Sequence, residues 1–282
     1  MPYKYKLSVC LCVRNEAKYM DEFITHYVVQ GVDHFYIINN GSTDNIETIC
    51  RNKYAELVTL ITDDRNLGIL TADSGAEGHR FLLNEHIYPR IIHETEWAII
   101  VDADEFMYGK NGHNLASFVD TVPADVGVIY VYWNIINPVT INGAVSREFS
   151  TKMCNKRLNY DKIGGLSRRI LNANTFGKSI IRTSMISKER KLWLHKTHIE
   201  GKMVNNYGYI DDSWEDNSFQ FDYSEDNFAK CDVTLNHYAI RNAEDYEKKI
   251  SQLNKVTSKT DFIKGLLDIL ELPDEYFVDC LM

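Results

Sequence analysis

The chain has 282 residues, 44% apolar and 25% charged, the profile of a globular protein with a sizeable buried core rather than a disordered or fibrous one. Its 31 basic and 40 acidic residues leave a formal charge of −9. Wrapping of nucleic acid needs clustered Lys and Arg, so no nucleic-acid partner is expected.

The first hundred residues alternate between strand and helix signals. An apolar run predicts a strand over 6–13, ending in the polar cluster Arg14-Asn15-Glu16. Met20, Phe23, Ile24, Tyr27 and Val28 recur at helical spacing, and Gly31 stands where it would stop that helix. A second strand follows over 34–38, then the turn Asn39–Asp44, with Asp44 placed to cap a short helix through Cys50. A third strand is predicted over 57–61, a polar loop over 62–78 and a helix over 80–93. A fourth strand over 97–101 runs into Asp102-Ala103-Asp104-Glu105-Phe106.

Strand–helix alternation of this kind predicts a parallel sheet with helices on both faces, and such sheets bind ligands beyond the carboxyl ends of their strands. Three strand ends carry polar clusters: Arg14–Glu16, Asn39–Asp44 and Asp102–Glu105. They should converge on one edge.

The second half is less regular. Strands are predicted over 126–133, 178–182 and 233–240 and helices over 241–255 and 262–270, while 134–177 and 201–230 read as aromatic and turn-rich. The expected division falls between a regular half over 1–125 and a less regular half over 126–282, within one continuous domain. Six cysteines without a CxxC pair read as reduced, buried thiols, with Cys10 and Cys12 on one strand face. No stretch approaches the roughly 18–20 apolar residues of a membrane span, nor does the N-terminus read as a signal peptide. The expectation is a cytoplasmic protein, with peripheral docking at a membrane left open.

Asp102-Ala103-Asp104 is the central chemical feature. In extended backbone, residues two apart point to one side, and two carboxylates so placed repel unless a cation or proton lies between them. Oxygen ligands with open positions suit Mg2+ or Mn2+ bound together with a phosphate. A solvated loop with two aspartates is the plain alternative.

The blocks VRNEAKYMDEFITHYVVQGVDHFYIINNGSTD, WAIIVDADEF and LNHYAIRNAEDYEKKI resemble, in order, signature blocks of GT-A glycosyltransferases of the family-2-like and family-92 branch. The resemblance implies an α/β fold of GT-A type. It also implies transfer of a sugar from a nucleotide-sugar, most readily a UDP-sugar, to a glycan or lipid-linked glycan in polysaccharide or glycoconjugate synthesis. In similar enzymes the end of the first strand, here Val13, Arg14, Asn15 and Glu16, holds base and ribose. Asn39 stands where an Asp is usual, which leaves base identity open, and Asp44 reads equally as ligand contact or helix cap. Asp102, Ala103 and Asp104 match the diphosphate and metal site, with Mn2+ or Mg2+ as cofactor. Glu105 should point to the other face. His237 matches a histidine that returns to metal or diphosphate, beside a packed Tyr238.

For a catalytic base the candidates are Asp212, Glu215 and Asp216 in the acidic stretch from Asp211, with His195, His198 and Glu200 as competitors. Lys178, Arg182 and Lys202 read either as phosphate partners or as solvated strand edges. Trp133, Trp193 and Trp214 could stack on sugar rings or pack in the core. Two other classes remain: a nucleotidyltransferase, though no Gly-rich loop follows the first strand, and a non-catalytic nucleotide- or carbohydrate-binding module. A dinucleotide oxidoreductase is excluded by the absence of GxGxxG after a strand.

Overall fold

The computed structural model describes residues 2–65, 75–142, 144–154, 156–173, 176–189, 191–208, 210, 224–253 and 260–280. Strand β1 (Tyr5–Val13) pairs in parallel with β2 (His34–Asn39) on one side and β4 (Thr95–Ile100) on the other, and β2 pairs in parallel with β3 (Val58–Thr62). Their side chains sort by parity, as pleating requires. Leu7, Val9, Leu11, Phe35, Ile37, Trp97 and Ile99 enter one core, while Cys10, Tyr36, Ile38, Ala98 and Ile100 enter another.

Helices α1 (Ala17–Val29) and α2 (Ile46–Lys53) cover the first face through Phe23, Ile24, Ile46 and Cys50. The second face is covered by a continuous helical segment: α3 (Gly75–Leu82), a π-helical turn (Leu83–Ile87) and α4 (Tyr88–Glu94), which supply Leu82, Leu83, Ile87 and Ile91. Gly31 ends α1 as expected. Its φ of +82° is a left-handed conformation, its N–H meets the Val28 carbonyl, and a Cβ there would lie 2.6 Å from that of Ala116.

Beyond β4 the sheet becomes mixed. Strand β5 (Glu105–Gly109) and helix α5 (Leu115–Thr121) lead to β6 (Val126–Asn137), the longest strand described. A small hairpin, β7 (Thr140–Ile141) with β8 (Ala144–Val145), then β9 (Lys156–Leu158) and α6 (Arg168–Ala173) precede β10 (Gly177–Arg182). β10 lies between β4 and β6, antiparallel to both, so the sheet runs unbroken from the first half into the second. Strand β11 (Lys202–Asn205) pairs with β6. After α7 (Glu225–Lys230), β12 (Val233–His237) pairs in parallel with β6 and antiparallel with β5. Helices α8 (Ala243–Leu253) and α9 (Thr260–Leu270) and strand β13 (Phe277–Asp279), paired with β9, complete the described chain.

The expected α/β architecture, a mainly parallel sheet flanked by helices and joined to a mixed region, is present. Local readings differ around the strand ends, and the helix on the second face begins at Gly75, inside the predicted loop. β4 ends at Ile100, and Asp102–Glu105 is a turn closed by the Glu105 N–H on the Asp102 carbonyl, so the two aspartates do not leave an extended strand side by side. The chain re-enters the sheet immediately as β5. Asp44 precedes the cap position of α2, where Asn45 stands, although its Oδ1 accepts the Ile46 N–H at 3.3 Å. The third predicted strand of the second half stops at His237, because Tyr238 N–H turns aside to the Asp104 carbonyl.

Candidate functional site

The carboxyl ends of β1, β2 and β4 meet on one edge, and the three polar clusters interlock there. Asn15 holds a left-handed φ of +59°, which aims its Oδ1 at the Thr43 N–H, 2.7 Å away. Its own N–H donates to Ser42 Oγ at 3.0 Å. Asn39 accepts the Ser42 N–H on its Oδ1 at 3.0 Å, and Asp44 Oδ2 accepts the first N–H of α1, from Ala17, at 2.8 Å. Val13 is buried and Arg14 projects outward between these turns. Glu16 reaches across to Arg241, which it meets at 2.6 Å; Arg241 in turn pairs with Asp245 at 2.7 Å and lies over the Tyr19 ring. The end of β1 is thereby fastened to the start of α8.

The two motif aspartates have different partners. Asp102 Oδ2 lies 2.7 Å from Lys178 Nζ, at the start of β10, and this lysine is only 1% exposed. Glu105 is fully buried, 3.4 Å from the same ammonium, and its carboxylate accepts the Asp102 N–H at 2.7 Å. Glu105 is thus the residue that orients the turn. Burial pushes its carboxyl well above the usual carboxylate range, more than Lys178 can offset. Burial would likewise raise Asp102, but there Lys178 prevails and the carboxyl lies low.

Asp104 faces His237, with Oδ2 and Nε2 3.5 Å apart. Burial works against its charge, yet His237, Arg241 and Lys249 together hold the carboxyl well below the usual range. Asp104 and His237 meet because β5 and β12 pair with Glu105 opposite His237 and because Tyr238 N–H binds the Asp104 carbonyl at 2.9 Å. Tyr238 points away and packs against Phe106 and Phe149. The His237 ring lies against Trp133 and Phe262. Nδ1 of His237 and Nε1 of Trp133 are buried without a hydrogen-bond partner among the described residues. His195 completes this wall, its Nδ1 2.9 Å from the Gly177 carbonyl, and burial together with Lys178 lowers its pKa to about 4.

Among the described residues no cluster of three or more His, Cys, Asp or Glu side chains is arranged around a common metal position. One carboxylate and one imidazole facing the same point still suit a hard divalent cation that completes its shell with water and phosphate. Asp212, Glu215, Asp216 and Trp214 lie outside the described residues. Arg182 packs over Trp97 and Lys202 pairs with Asp125, both at the opposite edge of the sheet from Lys178.

One cluster went unread in the sequence. Asp63, just past β3, is held far below the usual carboxylate range by Arg65 and His86, and Asn40 donates to the Asp63 and Arg65 carbonyls. The signal was the pair Asp63-Arg65 directly after a predicted strand. A cavity of about 300 Å3 lies elsewhere, lined by Phe118, Val122, Pro123, Ile129, Asn205 and Tyr207, and holds none of these carboxylates.

Residues 8–72 match the model of Glycosyl transferase family 2. No curated protein shows a significant match to the chain. Among solved structures the chain is similar to glucosyl-3-phosphoglycerate synthase from Mycobacterium tuberculosis in complex with Mn2+, uridine-diphosphate and glucosyl-3-phosphoglycerate. Identity is 15%, over 64% of this chain and 58% of that one, with a TM-score of 0.33. The same enzyme in complex with Mn2+, uridine-diphosphate and phosphoglyceric acid gives 16% identity over 64% and 57%, with a TM-score of 0.33. A mycobacterial protein gives 16% over 64% and 55%, with a TM-score of 0.30. The matched part is under two thirds of the length of each of these structures.

Proposed function

We propose that the chain is a metal-dependent glycosyltransferase of GT-A type, moving a sugar from a UDP-sugar to a hydroxyl of a glycan or lipid-linked glycan in surface polysaccharide or glycoconjugate synthesis. The observation that carries this reading is the convergence on one sheet edge of the Asp104–His237 pair with the Asn15–Asn39–Ser42 turn network. That network lies within the stretch that matches Glycosyl transferase family 2. The family-92 side of the resemblance lies outside what that match covers and belongs to the proposal.

In this reading Val13, Arg14, Asn15 and Asn39 bracket the base and ribose. Asn39 already has its amide oxygen on the Ser42 N–H, so a uracil N3–H would share that oxygen's second lone pair. Asp104 and His237 would hold Mn2+ or Mg2+, and Asp102, the third expected ligand, would join them by releasing Lys178, with Ala103 beside the diphosphate; a bound cation would offset charge on the departing nucleotide. Lys178 adds a fixed positive charge next to Asp102. Trp133, Phe176 and Phe262 pack around His195 and His237 and fix the orientation of the His237 ring. The acceptor's proton goes to Asp212, Glu215 or Asp216, an assignment made on sequence position alone.

The test is a nucleotide-release screen across UDP-, GDP- and CMP-sugars with Mn2+, paired with competition titrations of UDP, GDP, CDP and ADP. Release from a UDP-sugar and preferential binding of UDP are expected. Equal binding of all four nucleotides, or a preference for GDP, overturns the donor assignment.

A further inference from the structure

Between Ser187 and His198 the chain makes a closed excursion, fastened at its base by the Ser187 N–H on the His198 carbonyl and the Ile186–Ile199 bridge. Its tip is pinned to the helical segment on the second sheet face: Asn84 donates to the Leu192 carbonyl and accepts the Leu192 N–H, at 2.9 and 2.8 Å. Burial then alternates residue by residue. Leu192 and Leu194 sink into the second core, while Lys191 and Trp193 face out.

Trp193 is 37% exposed although both of its neighbours, Leu192 and Leu194, are buried, and Phe81 on α3 is 50% exposed. Both carry a guanidinium rather than an apolar cover: Arg80 lies over the Trp193 ring at 4.1 Å and Arg65 over Phe81 at 5.3 Å. In a chain of net charge −9, residues 188–197 carry Lys188, Arg190, Lys191 and Lys196 against the single acid Glu189. Arg65 is ion-paired with Asp63 and Glu85 and Lys196 lies over the Tyr130 ring, so the positive charge of this face comes from Arg80, Lys188 and Lys191. Outward aromatics beside such cations are the chemistry of the water–lipid interface, where rings lie at headgroup depth and cations meet lipid phosphates. A protein partner with an acidic face would answer the charge but leaves the exposed indole and phenyl without a matching apolar surface.

We propose that the outer face formed by Lys188, Lys191 and Trp193, with Arg80 and Phe81 of α3, docks on an anionic lipid bilayer. The inference extends the lipid-linked acceptor named above, yet vesicle binding is read without turnover and stands or falls separately from the donor assignment.

The experiment is co-sedimentation of the full chain with vesicles of phosphatidylcholine containing 30% phosphatidylglycerol, against pure phosphatidylcholine, at low and high salt. The chain should pellet with the anionic vesicles only and be released by ~0.5 M salt, as screening shortens to a few ångströms. Lys188→Gln with Lys191→Gln should weaken partitioning roughly 25-fold, about five-fold per charge. Trp193→Ala should weaken it without lowering the melting temperature. Val29→Ser, on α1 across the sheet, should leave it unchanged. Equal partitioning to both vesicle types, no sedimentation at all, or full binding by the Lys and Trp variants overturns the proposal.

Discussion

Replacing Lys178 by Met removes the single cation that two carboxylates share. The ammonium is 1% exposed, 2.7 Å from Asp102 and 3.4 Å from a Glu105 that is fully buried, so solvent cannot take its place. Breaking a buried pair by removing one partner costs about 3–5 kcal/mol. The lower end is expected, since Asp102 is 43% exposed and can turn to water, and Glu105 can take up a proton. A loss of about 3 kcal/mol corresponds to a fall in melting temperature of roughly 6–12 °C for a chain of this size. The readout is thermal and urea unfolding of Lys178→Met, Glu105→Gln and the double variant across pH. Glu105 has a raised folded-state pKa, so its proton stabilises the fold fully below about 4.5, the unfolded value. That contribution is lost as pH rises through the folded value. Lys178→Met should therefore be least harmful at acid pH and grow worse toward alkaline pH, and Glu105→Gln should recover part of the loss. An unchanged melting temperature, or a loss that is flat with pH and indifferent to Glu105→Gln, refutes the account.

Asp104→Asn should weaken Mn2+-dependent UDP binding and cut turnover by ~10²-fold or more, read by calorimetry and nucleotide release; unchanged affinity and unchanged sensitivity to EDTA count against it. Burial lowers the His195 pKa to about 4 from the usual 6.5, so stability should be complete above about 6.5 and decline as pH falls toward 4. His195→Gln should flatten that decline in urea melts, and an identical slope contradicts the burial argument.

Much of the first half was legible because its signals are local. The runs that became β1 to β4 are apolar on both faces, a pattern few other structures produce, and Gly31 stops α1 for a conformational reason visible in the residue type. β5 was not legible, because Glu105 looks like the end of a polar turn rather than the first residue of a strand whose carboxylate is fully buried. β9 and β13, three residues each, pair only with distant partners. At the site, Asp104 and His237 were readable from their blocks. Their partnership rests on long-range pairing, as does that of Asp102 with Lys178, which the sequence left between a phosphate contact and an exposed strand edge. Asp63, Arg65 and His86 come together only when α3 and its continuation fold across the second face.

The β5–β12 ladder has a consequence for how the chain tolerates change. Asp104 and His237 are held in register by main-chain bonds between β5 and β12, and β6 flanks β12 on its other side with Ile135 opposite His237. Insertions or deletions in the connections between those strands should leave the pair where it is. A single residue added within Glu105–Gly109 or Val233–His237 would reverse which side chains face the carboxylate edge, taking the His237 imidazole out of reach of Asp104. The tightest limit on length variation in this chain therefore falls on two five-residue strands, and a deletion scan should find its sharpest boundary at their ends.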